Sequence, residues 1–105
     1  MKMSGDASVA ALQEKADHVA SRLALVANAK RLLILCELVQ GERSVGRLQE
    51  AVGLSQSALS QHLAKLRDAG MVETRRESQT IYYRIGDSET AVLMAALYDA
   101  FCKDD

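Results

Sequence analysis

"SVGRLQEAVGLSQSALSQHLAKLRDAG", residues 44–70, holds two short helical patterns separated by a tight "GLS" turn. Ser44 precedes "VGRLQEAV" and Gly53 follows it, while Ser55 precedes "QSALSQHLAKLRDA" and Gly70 follows that. A serine hydroxyl can accept from the free N–H groups of a first helical turn, and glycine readily takes the backbone conformation that ends a helix. Within the second pattern Leu59, Leu63 and Leu66 fall at i, i+4 and i+7, a stripe that faces a core. The opposite face carries Gln56, Ser57, Ser60, Gln61, Ala64 and Lys65. Two short helices joined in this way form a helix-turn-helix, whose second helix enters the DNA major groove.

The flanks extend the pattern. Residues 8–27 are alanine-rich and predict one helix, with Leu12, Val19, Leu23 and Val26 near helical spacing. Asn28 is placed to cap a second helix, "AKRLLILCELVQ", which stops at Gly41, and "GERS" reads as a loop. After Gly70, "MVETRRESQTIYYRI" alternates and is rich in β-formers, with a polar break at Glu77–Gln79. It predicts a two-stranded hairpin. Asp87 or Ser88 caps a last helix, "ETAVLMAALYDAFC", that is apolar over most of its circumference. Such a helix on a small chain points to a dimer interface. The expected fold is mainly α with a β-hairpin wing (α+β), a winged helix-turn-helix forming a homodimer through its first and last helices.

The outward side chains suit double-stranded DNA. The N-terminus of the second helix of the pair presents N–H groups to phosphate. Ser55, Gln56, Ser57, Ser60, Gln61 and Lys65 are short or flexible enough to reach base edges or phosphates. Arg75, Arg76 and Gln79 lie near the hairpin tip, where a wing can touch phosphate or the minor groove. A merely solvated helix face remains the plain alternative.

With 105 residues, 49 % hydrophobic and 26 % charged, residues 1–105 are expected to form a single domain. No apolar run approaches the roughly 18–20 residues of a membrane span, and the first residues lack a secretory pattern. A cytoplasmic location with reduced thiols is expected. The net charge of −1 does not itself suggest nucleic acid, but its distribution is uneven. Residues 54–84 have a small basic excess, from Lys65, Arg67, Arg75, Arg76 and Arg84, whereas residues 85–105 are acidic, ending in Asp104 and Asp105.

"GERSVGRLQEAVGLSQSALSQHLAKLRDAGMVETRRESQTIYYRI" resembles the winged helix-turn-helix core of the ArsR family of small dimeric repressors. The family's S-x-S-x-x-S-x-H-L run is matched by Ser55, Ser57, Ser60, His62 and Leu63. "LRDAGMVETRR" and "YYR" match two further signatures, and "NAKRLLIL" matches the second helix. The resemblance spans residues 28–84 and implies that Gln56, Ser57, Ser60 and Gln61 face bases. It implies that His62 and Arg75 or Arg76 contact the DNA backbone. His62 has an equal alternative as a half-buried histidine bonded to a neighbouring carbonyl.

Metal sensing is common in this family, yet its usual ligands are missing. The thiolate C-x-C would fall in "SVGRLQE", which has no cysteine. The last-helix site needs histidines, and "DSETAVLMAALYDAFCKDD" offers only carboxylates such as Asp87 and Glu89. Zinc prefers nitrogen and sulfur ligands, so no metal site and no cofactor are expected. His18 is expected to be solvated.

Two cysteines remain, 66 positions apart and without the C-x-x-C of a thiol redox enzyme. Cys36 shares a stripe with Leu32, Leu35 and Val39, and Cys102 extends one of Ala91, Ala95 and Tyr98. Both are expected on packed faces, where inert buried cysteine is the ordinary outcome. Cys102 also lies at a helix C-terminus beside Asp104 and Asp105, which disfavours a thiolate. Lys15, His18 or Arg22 are the candidates for a cation beside it.

The positions of the two thiols nonetheless resemble the persulfide- and redox-sensing dithiol subgroup, the BigR/SqrR/HlyU type. That resemblance implies a repressor dimer on an inverted-repeat operator, released when reactive sulfur species or an oxidant join Cys36 and Cys102 by a disulfide or polysulfide. The alternative is an ArsR-type repressor with inert cysteines and another ligand, a metal ion or small molecule, at an unidentified site.

Overall fold

The computed structural model describes residues 5–104; Asp105, counted in the acidic end, lies outside them. In chain order the described elements are α1 (Gly5–Glu14), α2 (Ala16–Val26), α3 (Ala29–Val39), β1 (Arg43–Ser44), α4 (Val45–Val52), α5 (Gln56–Asp68), β2 (Val72–Glu77), β3 (Thr80–Ile85) and α6 (Ser88–Phe101). This is the mainly α winged helix-turn-helix expected, with two differences of detail.

The expected first helix is divided in two at Lys15, whose backbone leaves the helical region (φ −102°, ψ 12°). Alanine-rich sequence favours helix everywhere and so carries no local signal for such a break. The loop before α4 contributes a third strand. Arg43 and Ser44 pair with Tyr83 and Tyr82, giving an antiparallel sheet of order β1-β3-β2. Two residues are too short for any alternation to show.

Capping follows the sequence closely. Asn28 accepts from the N–H groups of Lys30 and Arg31, Ser44 from Arg47, Ser55 from Ala58, and Asp87 from Thr90. Each cap contributes about 1 kcal/mol of helix stability. Gly70 ends α5 in the left-handed region (φ 75°), with Met71 N–H donating to Leu66 and Gly70 N–H to Arg67. This paired closure consumes two otherwise free carbonyls and turns the chain straight into β2. Gly86 has a different role, because a Cβ there would stand 2.6 Å from the carbonyl oxygen of Gly70.

One apolar core lies between α3, α4, α5 and the base of the wing. Ile34, Leu35, Leu48, Leu59, Leu66 and Met71 are fully buried, with Leu38, Val52, Leu63 and Val72 close to it. Burying side chains of this size is worth about 1.5–3 kcal/mol each, so the stripe of α5 alone fixes that helix firmly. The terminal helices add less: among the described residues only Val26 of α2 and Met94 of α6 join the buried apolar set, with Leu25, Leu93 and Leu97 packed partly buried against it. Val9, Leu12, Leu23, Val92, Tyr98 and Phe101 stay largely exposed, Phe101 by 77 %. No described helix is long and apolar enough to cross a membrane.

Candidate nucleic-acid interface and thiol groove

Packing of Leu59, Leu63 and Leu66 into the core turns the other side of α5 outward. Ser55, Gln56, Ser57, Ser60, Gln61 and Lys65 are all exposed there, so the structure brings these six predicted residues onto one surface. Ser55 spends its oxygen on the cap, which leaves its hydroxyl proton free to donate. Lys65 and Arg67 occupy the last turn, where a cation is favoured by the helix dipole. His62 is half-buried beneath this face. Burial, with the positive charges of Arg31 and Lys65, holds its imidazole below the usual value.

The wing separates the two arginines that sequence treats alike. Arg75 is held by Glu42 from the loop before β1 (Nη2–Oε1 2.6 Å) and by Glu77 (2.7 Å), and lies 4.6 Å over the Tyr82 ring. Its hydrogen bond to Glu42, helped by the charges of Arg75 and Arg84, keeps that carboxyl below its ordinary range. Arg75 is thus a clamp that joins the wing to the loop. Arg76 is exposed and forms no ion pair among the described residues, and Gln79 is exposed in the two-residue turn. Ser78 beside it adopts a left-handed backbone (φ 59°).

This division predicts different salt responses. Arg76→Ala should weaken binding alike on all DNA sequences and reduce the slope of log K against log salt by about 0.9 per protomer. Arg75→Ala should lower affinity through a misplaced wing while keeping the slope. Equal slope losses in a salt titration of both variants would show that Arg75 contacts phosphate after all.

The cysteines depart from expectation. Both are exposed rather than packed. On α3 the core takes Ile34, Leu35 and Leu38, and this leaves Cys36 and Val39 exposed on a flank beside the half-buried Leu32. That flank and α6 form a groove of about 700 Å³, lined by Leu32, Val39, Met94, Leu97, Tyr98 and Phe101 among others. Cys36 and Cys102 both line it. Partial burial, then the proximity of Cys102 and Glu37, pushes the Cys36 thiol above its ordinary value.

None of the proposed cations serves Cys102. Arg22 turns to the other end of α6, bonding Asp87 (2.5 Å), Thr90 Oγ1 (2.9 Å) and Glu89 (2.6 Å), and donating to the carbonyl of Ala69 at the end of α5 (3.0 Å). His18 is exposed, as expected, but not alone, for Nε2 lies 2.9 Å from Glu89. Helical rise puts this cluster about 20 Å from Cys102. No groove-lining residue is Lys, Arg or His, Lys15 included. Asp87 and Glu89 are therefore engaged in ion pairs, and no group of three potential metal ligands meets among the described residues. Sequence reading missed Glu42 entirely and mistook the role of Arg22. Neither had a signal, because each partner is remote in the chain.

The comparisons agree with this geometry. A family model described as "Bacterial regulatory protein, arsR family" matches residues 28–74. The biofilm growth-associated repressor of Xylella fastidiosa (strain Temecula1 / ATCC 700964) is 42 % identical over 94 residues, covering 90 % of this chain and 82 % of that protein. The crystal structure of the transcriptional repressor BigR from Xylella fastidiosa has a TM-score of 0.82 and 43 % identity, over 87 % of this chain and 93 % of that one. Reduced HlyU from Vibrio cholerae N16961 has a TM-score of 0.82 and 41 % identity, over 88 % and 97 % respectively. The chain belongs to the arsR family of bacterial regulatory proteins, and within it to the BigR/HlyU-type subgroup.

Proposed function

We propose that the protein is a cytoplasmic transcriptional repressor that binds an inverted-repeat operator as a homodimer. It is released when reactive sulfur species or an oxidant join Cys36 and Cys102 through a disulfide or polysulfide. The observation that carries this reading is that both thiols, brought from α3 and from the end of α6, line one groove. One solved relative is described by its redox state, as reduced HlyU, in keeping with thiol chemistry. Ser55, Gln56, Ser57, Ser60, Gln61, His62, Lys65, Arg76 and Gln79 form the proposed DNA surface, with Arg75 as its clamp.

Dimerisation is supported by the apolar faces that the single chain leaves open on α1, α2 and α6. Its radius of gyration, 15.3 Å, exceeds the roughly 13 Å of a compact domain of this length. A second copy across the terminal helices would cover these faces and set the two α5 helices about 34–36 Å apart, one turn of DNA.

Selection from fragmented genomic DNA tests the proposal. Reduced protein should enrich inverted repeats with half-sites about 10 bp apart. Polysulfide should abolish the enrichment, a thiol reductant should restore it, and intact mass should show a Cys36–Cys102 bridge. Fragments retained after bridging, or no enrichment by the reduced protein, would defeat it. A response that survives a double Cys→Ser change would instead move the effector to another site.

A further inference from the structure

Three of the half-buried arginines, Arg22, Arg43 and Arg75, each face a carboxylate, but Arg31 faces none among the described residues. Its Nε is buried without a hydrogen-bond acceptor. Arg43 Nε also lacks a hydrogen bond, yet Glu37 lies 3.6 Å from it. A buried donor left without an acceptor is costly and rare, and an absent ion is one of its ordinary explanations. Helix periodicity puts Arg31 beside the DNA-reading helix. On α3 it begins the run Arg31, Ile34, Leu35 and Leu38, at i, i+3, i+4 and i+7, whose last three members enter the core. On α5, His62 falls between Leu59 and Leu66 on the core-facing side, and Lys65 lies one turn beyond it. The charges that act at His62 are those of Arg31 and Lys65, both positive. Neither His62 nor Lys65 has a side-chain hydrogen bond or ion pair among the described residues. Three donors thus stand together without an acceptor.

We infer that Arg31, with His62 and Lys65, forms a subsite for one phosphodiester of the DNA backbone, so that α3 joins the DNA interface. The inference rests on the DNA-binding reading above and adds to it a residue from outside the helix-turn-helix. The groove width explains why the anion is DNA. A helix about 10–12 Å across fills a major groove about 12 Å wide, so each flank of an inserted α5 runs along a phosphate strand. Arg31 stands against the flank that carries His62. Its neighbour Lys30 donates to the carbonyl of Val52 (3.1 Å), which fixes the start of α3 to the end of α4 and so to the turn before α5. A phosphate on that flank would supply the acceptor that Arg31 lacks, and a guanidinium suits it by geometry as well as charge. The subsite uses no residue of α1, α2 or α6, the helices of the proposed dimer contact.

The test is a salt titration of the full-length reduced protein, by fluorescence anisotropy, on a duplex recovered by the selection above and on a scrambled duplex of equal length. Arg31→Met should weaken binding about tenfold and reduce the slope of log K against log salt by about 0.9 per protomer. The loss should be the same on both duplexes, because a phosphate carries no sequence. Arg31→Lys should restore the slope. The melting temperature of Arg31→Met should hold or rise, since an unpaired buried donor has been removed. Arg31→Gln is a second neutral variant, which carries the comparison if Arg31→Met folds poorly. A full slope in a folded neutral variant, or a lower melting temperature with the slope kept, would overturn the subsite and leave the DNA reading standing. Absence of DNA binding by the wild type would overturn both. Inorganic phosphate is the other source of the same chemistry, and at constant ionic strength it should not displace the duplex. Displacement that disappears in Arg31→Met would give the subsite to the free anion and overturn its assignment to DNA.

Discussion

A Cys36→Ser variant is expected to remain on its operator in polysulfide with the affinity of the untreated protein, while the bridged wild type loses about 10³-fold or more. That loss is the usual interval between specific and non-specific DNA binding. The reason is mechanical. Leu35 and Leu38 hold α3 in the core, so a bridge from Cys36 would fix the end of α6 against α3. The other end of α6 is tied by Arg22 to the carbonyl of Ala69, which closes α5. If α6 moves, this tie would pass the movement to α5, and in the proposed dimer each protomer would have to meet its half-site at a fixed spacing. Serine occupies nearly the same volume at this exposed position, so the variant should fold normally and bind DNA when untreated. Cys102→Ser should behave in the same way. Fluorescence anisotropy on a labelled operator measures this directly. If either single variant releases DNA as readily as the wild type, the bridge is not the switch.

Arg22→Met should cost the fold about 2 kcal/mol. Removing one partner of a buried ion pair costs about 3–5 kcal/mol, and the value is reduced here because solvent screens part of the cluster. Arg22 itself is only 13 % exposed, but Asp87 and Glu89 are 34 % and 57 % exposed. The melting temperature should fall by roughly 10 °C for a domain of this size. A drop of less than 2 °C, at matched protein concentration, would show that the cluster is decorative.

Acid adds a check on the same cluster. Burial pushes the Asp87 carboxyl up, but hydrogen bonds from Thr90 and the charge and hydrogen bond of Arg22 outweigh it and hold the carboxyl below its ordinary value. A carboxyl lowered in the folded state stabilises the fold above its unfolded pKa, about 3.9, and that contribution disappears as pH falls through the folded value. The wild type should thus lose stability below about pH 4, by an increment smaller in Arg22→Met. The Thr90 contribution persists in the variant, so the increment should shrink without vanishing.

The helix-turn-helix was legible because its information is local. Ser44, Ser55 and Asn28 cap the helices they precede, and the stripe Leu59, Leu63, Leu66 is buried as its spacing requires. The hairpin alternation likewise marks β2 and β3, which pair from Val72↔Ile85 to Glu77↔Thr80. Periodicity was less informative about the thiols. The stripe through Leu32, Leu35, Cys36 and Val39 is real, but it is wider than the core that receives it. Leu35 enters that core, and Cys36 remains on the open flank.

By itself, then, the sequence determined the elements, their caps, the outward polar face of α5 and the family resemblance, all of which depend on residues within a few positions of one another. Tertiary structure alone decided that Arg75 is bound by Glu42 while Arg76 is left exposed, and that Arg22 ties α2 to the ends of α5 and α6. It also decided that residues 36 and 102 share a groove. Those pairings join positions 33 to 66 residues apart. No spacing rule reaches so far along a chain, because such contacts are set by how the helices stack once their apolar faces are buried.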